Sequence, residues 1–176
     1  FNLVKSIKQK VNIPVAVKLS PYFTSTPNTL KNFEKAGADA FVIFNRFYQP
    51  DLDIENLEVT PNIILSSSEE LRLRIRWAAI LYGKIKPDIA ITGGVHSGAD
   101  VIKSIMSGAK VSMMTSSLIK NGIEHIEKVL SETSDWLSSH EYESIKSIHG
   151  IMSQKNVSSP SAYERANYMK ALGSYK

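Results

Sequence analysis

The segment 89–122, IAITGGVHSGADVIKSIMSGAKVSMMTSSLIKNG, holds two consecutive strand-turn-helix patterns, and these constrain the fold more than any other feature of the chain. An apolar run (Ile89, Ala90, Ile91) meets Gly93 and Gly94, and a second run over 111–114 meets Thr115, Ser116 and Ser117. Two strands that each hand over to a helix lie parallel, because the helix carries the chain back to the end of the sheet where it started. Both turns are rich in groups that suit a phosphate. Glycines let the backbone approach closely, and helix N-terminal N–H groups and hydroxyls are anion donors.

The same alternation extends over the chain. VAVKL (15–19) reads as a strand that leads to a helix near 29–36, closed by Gly37. AFVIF (40–44) is a second strand, with Asn45 and Arg46 at its end, followed by an excursion over 47–62. Ile63, Ile64 and Leu65 are expected to form a short strand before Ser66, Ser67 and Ser68. Glu69 and Glu70 mark the start of a helix through Trp77 to Tyr82. The last two units carry helices over about 98–107 and 123–138, the latter with Ile126, Val129 and Leu130 on its apolar face. A short helix is expected over 142–148.

Four βα units are half of a closed barrel, and two adjacent donor-rich turns late in a chain match the place where such a barrel keeps its phosphate site. The expected fold class is therefore α/β, the C-terminal half of a (β/α)8 TIM barrel of about four βα units plus a C-terminal helical tail. The partial barrel is assigned to residues 1–152, and 153–176 to a polar tail with some helix after Pro160. An open parallel half leaves two unpaired edges and one bare sheet face. An upstream half-barrel, a smaller doubly wound sheet or pairing of two chains would each resolve this. The opening FNLVKSIKQK reads as a helix and carries no initiator Met, so the chain is expected to begin inside a longer protein.

Composition removes several function classes. With 43% hydrophobic residues in 176, the chain can bury a core, and its net charge of +4 comes from scattered rather than striped basic residues. That pattern supports an anionic small molecule and not nucleic acid. The absence of cysteine excludes disulfides, Cys-ligated zinc and Cys-bound iron–sulfur clusters within this segment. No run reaches the roughly 18 apolar residues of a membrane helix, and the expected location is cytoplasmic. The four histidines have no metal-ligand spacing, so no metal is expected. His96 reads as a surface residue at a helix start, Trp77 and Trp136 as packing residues, and the 69–76 charge cluster as a solvated face with Glu70 and Arg74 paired.

The motifs VKLSP, FVIFNR, ITGGV with SGADVIKSIMSGA, and TSSLIKNG, in this order over about residues 10–138, resemble the C-terminal half of the dihydroorotate dehydrogenase family of FMN-dependent barrels. The resemblance implies an oxidoreductase that passes hydride from dihydroorotate, or a related small CH–CH substrate, to flavin. Lys18 matches the strand-end lysine beside the flavin, where a cation stabilises the negative charge of reduced flavin. Asn45 matches a substrate-binding asparagine, whose amide both donates and accepts. Gly93 and Gly94 match the phosphate-cradling pair, with Thr115 and Ser116 in place of the family's Gly-Thr. Ser66, Ser67 and Ser68 stand where the family has a Gly-rich turn that also touches the flavin phosphate, with Ser66 and Ser67 taken as its cofactor-binding residues. Arg46 departs from the small hydroxyl residue usual beside that asparagine, which puts dihydroorotate itself in question. The resemblance places the catalytic base upstream, so this segment alone is expected to be inactive. Two rivals share the phosphate turns: a flavin-free barrel acting on a sugar phosphate as lyase or isomerase, and a non-catalytic half-barrel.

Overall fold

The alternation of the sequence becomes a single parallel sheet with helices on one face. The computed structural model describes residues 1–165 and 172–174. In chain order its elements are α1 (Asn2–Lys8), β1 (Ala16–Leu19), α2 (Thr26–Lys35), β2 (Ala40–Ile43), β3 (Asp51–Asp53), β4 (Glu58–Thr60), α3 (Leu71–Leu81), β5 (Asp88–Thr92), α4 (Gly98–Ser107), β6 (Val111–Met113), α5 (Ser116–Asn121) and α6 (His125–Ser139). The strands β1, β2, β5 and β6 lie side by side in that order, all parallel.

The register sorts the sheet into two faces. Leu19, Ile43 and Ile91 share a row, with Ser112 next to it, and the three apolar side chains are buried. They meet Leu30 of α2 and Leu71, Ala78 and Leu81 of α3 in the main core. The neighbouring row, Lys18, Val42, Ala90 and Val111, points to the other face. There Lys18 is exposed, Val111 is 50% exposed and Met113 is 42% exposed. The bare face and two open edges expected of four parallel βα units are both present among the described residues.

Local chemistry sets the helix ends. Ser97 caps α4 in a capping box with Asp100, and Gly108 closes it in a left-handed conformation (φ 113°). Pro27 stands in the first turn of α2, where its missing N–H costs nothing.

Four differences from the sequence reading have physical causes. The strand predicted over 63–65 does not form: Ile63 and Ile64 are 83% and 67% exposed and have no neighbouring strand to pair with. The excursion over 47–62 instead carries the antiparallel hairpin β3–β4, which pairs with itself and not with the main sheet. The helix predicted over 123–138 is preceded by a separate helix, α5, because Gly122 turns the chain at φ 83°. Residues 142–148 form turns rather than a helix, with Ile148 and Tyr142 packed beside Ile102, Ile105 and Trp136.

The segment read as a polar tail starts inside the packed structure. Ser153 and Gln154 are buried, the Gln154 backbone N–H donates to the Ala79 carbonyl at 3.0 Å, and Arg76 donates to the Tyr163 carbonyl at 2.8 Å. Its only regular element among the described residues is the 3₁₀ turn Pro160–Tyr163, together with residues 172–173; tail residues 166–171 and 175–176 lie outside the described residues.

Candidate functional site

The turns after β5 and β6 and the loop before α3 meet at one point, and Ser66 is its centre. Its side chain is 2% exposed. The Gly94 N–H donates to Ser66 Oγ at 3.3 Å, and the Ser66 N–H donates to Ser116 Oγ at 3.1 Å. Lys120 Nζ donates to the Ser66 carbonyl at 3.0 Å, and His96 Nε2 lies 3.2 Å from Ser66 Oγ. Two serine hydroxyls, an ammonium, an imidazole and a turn N–H thus converge at the C-terminal ends of two neighbouring strands. Such ends are where α/β folds bind ligands. Burial holds the His96 ring below its usual range, with the Lys120 ammonium adding to the effect and Asp100 opposing it.

Gly93 and Gly94, the pair matched to a phosphate cradle, lie close against α3. Both adopt left-handed backbone (φ 84° and 87°). A Cβ on Gly94 would lie 2.4 Å from the Leu71 backbone nitrogen, and one on Gly93 would lie 3.0 Å from Arg74 Nη2. On the side where a Cβ would stand, Gly94 faces the Leu71 backbone and Gly93 the Arg74 side chain, both of α3. Arg74, read from the sequence as part of a solvated face, is 6% exposed. Its guanidinium donates to the Thr92 carbonyl at 2.9 Å and to the Glu70 carbonyl at 2.7 Å, so it ties α3 to the end of β5. The Glu70 carboxylate pairs with Arg46 at 3.0 Å instead of with Arg74.

The N-terminus of α4 is already occupied by carboxylates. Asp100, 3% exposed, accepts from the His96 and Ser97 backbone N–H groups and from the Ser68 hydroxyl at 2.7 Å. Glu132 of α6 accepts from the Gly98 N–H at 2.7 Å. The Ser97 and Gly98 N–H groups at the start of α4, which the sequence offers to an anion, are therefore already taken. The spacing S-G-A-D, a capping box, was the signal that could have shown this.

The other expected site residues lie at the same end of the sheet. Lys18 stands exposed on the bare face and makes no hydrogen bond or ion pair among the described residues. Asn45 is exposed, and its backbone N–H donates to the Leu19 carbonyl at 2.6 Å, which ties the ends of β1 and β2 together. Ser67 and Thr115 are exposed and stay outside the Ser66 network: the Ser67 carbonyl accepts from Glu70 N–H and the Thr115 carbonyl from Ile119 N–H. His96, expected at the surface, joins the network, and His125 donates from Nε2 to its carbonyl at 2.8 Å. Lys120 carried no sequence signal, because only the fold brings it back to the Ser66 loop. Among the described residues no three His, Cys, Asp or Glu side chains cluster in a way that could hold a metal ion, and no helix is long and apolar enough to cross a membrane.

Parallel βα units with polar turns at the strand ends define this as part of a (β/α)8 barrel. A ligand-free dihydroorotate dehydrogenase from Eimeria tenella has the same fold over 77% of this chain and 39% of its own, with a TM-score of 0.63 and 20% identity. The profile of the dihydroorotate dehydrogenase family matches residues 1–137. The chain belongs to that family. Similar proteins include the catalytic subunits of dihydroorotate dehydrogenase B (NAD(+)) from Thermoplasma acidophilum (26% identical, over 85% of this chain and 50% of the relative) and Endomicrobium trichonymphae (28%, over 74% and 46%). The chain spans about half the length of the curated relatives it matches.

Proposed function

We propose that this chain is the cofactor-holding part of an FMN-dependent oxidoreductase that oxidises dihydroorotate or a related small CH–CH substrate. The observation that carries the reading is the convergence of Ser66, Ser116, His96, Lys120 and the Gly94 N–H at the ends of β5 and β6, on the same sheet as an unpaired Lys18. That set suits a phosphate: the Ser66 and Ser116 hydroxyls give directional bonds, with Ser66 positioned by the Gly94 N–H, and Lys120 gives charge. Ser67, Gly93 and Thr115 border it. FMN, when bound, supplies a two-electron acceptor for a hydride.

In this reading each residue of the chain has one task. Ser66 and Ser116 orient the phosphate, and Lys120 compensates its charge. His96, kept neutral by burial and by Lys120, accepts or donates one hydrogen bond without adding charge. Lys18 puts a cation on the open face of the sheet, and Asn45 offers an amide to the substrate. The proton-abstracting base is assigned to a part of the protein outside this segment. The relatives' designation as catalytic subunits supports assembly with a partner chain.

Uptake of FMN by the purified protein tests the reading, followed through the yellow absorbance of bound flavin. Lys120→Met is expected to weaken FMN binding roughly tenfold, and Ser116→Ala less. A protein that is colourless once excess FMN has been removed by gel filtration, or a Lys120→Met variant with full affinity, would sink the proposal. Lys18→Ala is expected to slow flavin reduction by substrate in the complete protein more than it weakens flavin binding.

A further inference from the structure

A groove of about 500 Å³ opens beside Asn45, between the root of the hairpin excursion and its return to α3. Phe47 and Tyr48 form one wall, and Ile63 and Ile64 the other. Phe47 packs edge-to-face against Tyr22 of the β1–α2 loop, with ring centroids 4.8 Å apart. Arg46 and Glu70, 3.0 Å apart and each about a third exposed, line the groove between these walls.

The charges do not cancel. Arg74 reaches the backbone carbonyl of Glu70, and its guanidinium feels both the Glu70 carboxylate and the Arg46 guanidinium. Arg46 takes the Glu70 carboxylate while Arg74 is held by backbone carbonyls, so these three side chains carry a surplus of about one positive charge. The surplus is accessible only at Arg46. That residue spends one N–H on Glu70, and its fork has further donors to offer a planar anion. A single surplus charge suits a monoanion better than a phosphate dianion, and the aliphatic and aromatic walls suit an apolar body.

We propose that this groove binds a monocarboxylate carried on an apolar body, with Arg46 as the residue that recognises the carboxylate. The inference rests on the oxidoreductase reading only for making that ligand a substrate. Binding itself is separate, and is measured without flavin, so either idea can fail alone.

The test is a calorimetric titration of the full chain, free of flavin, with 3-phenylpropionate, its neutral amide 3-phenylpropionamide, orotate and inorganic phosphate. The acid is expected to bind roughly tenfold tighter than its amide, and tighter than orotate or phosphate. Arg46→Gln should bring the acid down to the affinity of the amide, and Arg46→Lys should restore part of the preference. Ile64→Ser should weaken acid and amide alike. Equal binding of acid and amide, no binding of either, tighter binding of orotate or phosphate, or an unchanged acid affinity in Arg46→Gln would each overturn the proposal.

Discussion

The turn between β5 and α4 and the excursion between β2 and α3 both lie at the C-terminal ends of the strands, yet they are built in opposite ways. At the first, backbone meets backbone. Gly94 touches Leu71, Asp100 gathers N–H and hydroxyl donors from three residues, and Arg74 clasps two carbonyls out of water. In the second, β3 and β4 pair only with each other, and Leu52, Ile54, Leu57 and Val59 are all more than 60% exposed. The contrast teaches that the rigid turn fixes where donors stand, whereas the excursion is free to vary in what it presents to a ligand. This is the usual division between a scaffold and its specificity loops.

Substitutions should separate the two regions sharply. Gly94→Ala should be the most damaging, at about 3 kcal/mol or more, because it adds a methyl group against the Leu71 backbone at a left-handed position. A urea melt that leaves stability within about 0.5 kcal/mol of wild type would show that α3 does not need that close approach. It follows that flavin loss in a Gly94 variant reports packing, and Ser116 and Lys120 are the residues that probe the phosphate.

Arg74→Met should cost about 2 kcal/mol, since it removes the donor to the half-buried Thr92 and Glu70 carbonyls. The measurement is again denaturant unfolding, and an unchanged midpoint would reduce Arg74 to packing. Leu57→Asn in the hairpin should instead raise stability by about 0.5–1 kcal/mol. Leu57 is 90% exposed at φ 56°, a conformation that asparagine tolerates better. A loss of stability there would mean that the excursion is more constrained than its exposure implies.

The smallest effect concerns pH. His96 has a folded pKa below its ordinary value of 6.5, so the folded state favours the neutral ring. The unfolded chain then binds more protons, and this contribution to stability is present above the unfolded pKa and lost as pH falls through the folded one. Wild type should lose more stability between neutral and mildly acidic pH than His96→Gln does, and identical pH profiles would exclude His96 as the titrating group.

Much of the scaffold was legible in the chain. Val17, Phe41, Ile43, Ile89 and Ile91 lie in or against the core of the parallel sheet as their periodicity requires, and Gly37 and Gly108 follow their helices. The family was legible through the order of its strand-end motifs. The site was legible only in outline. Ser66, Gly94 and Ser116, each singled out by its turn, meet at one point, but Lys120 and His96 reach the same point by tertiary packing. The single sequence offered no pattern that would pair positions 54 apart.

The sequence alone determined the parallel βα architecture, because alternating apolar runs and helix caps are local and short-ranged. It also determined the family, whose motifs are local as well. Only the tertiary structure decided what stands beside the two glycines. A left-handed turn after a strand looks the same in sequence whatever packs against it, and here α3 lies where a Cβ would stand. Which helix-start N–H groups remain free was likewise settled by Asp100 and Glu132, one near in sequence and one far, since a carboxylate satisfies a donor wherever the fold delivers it.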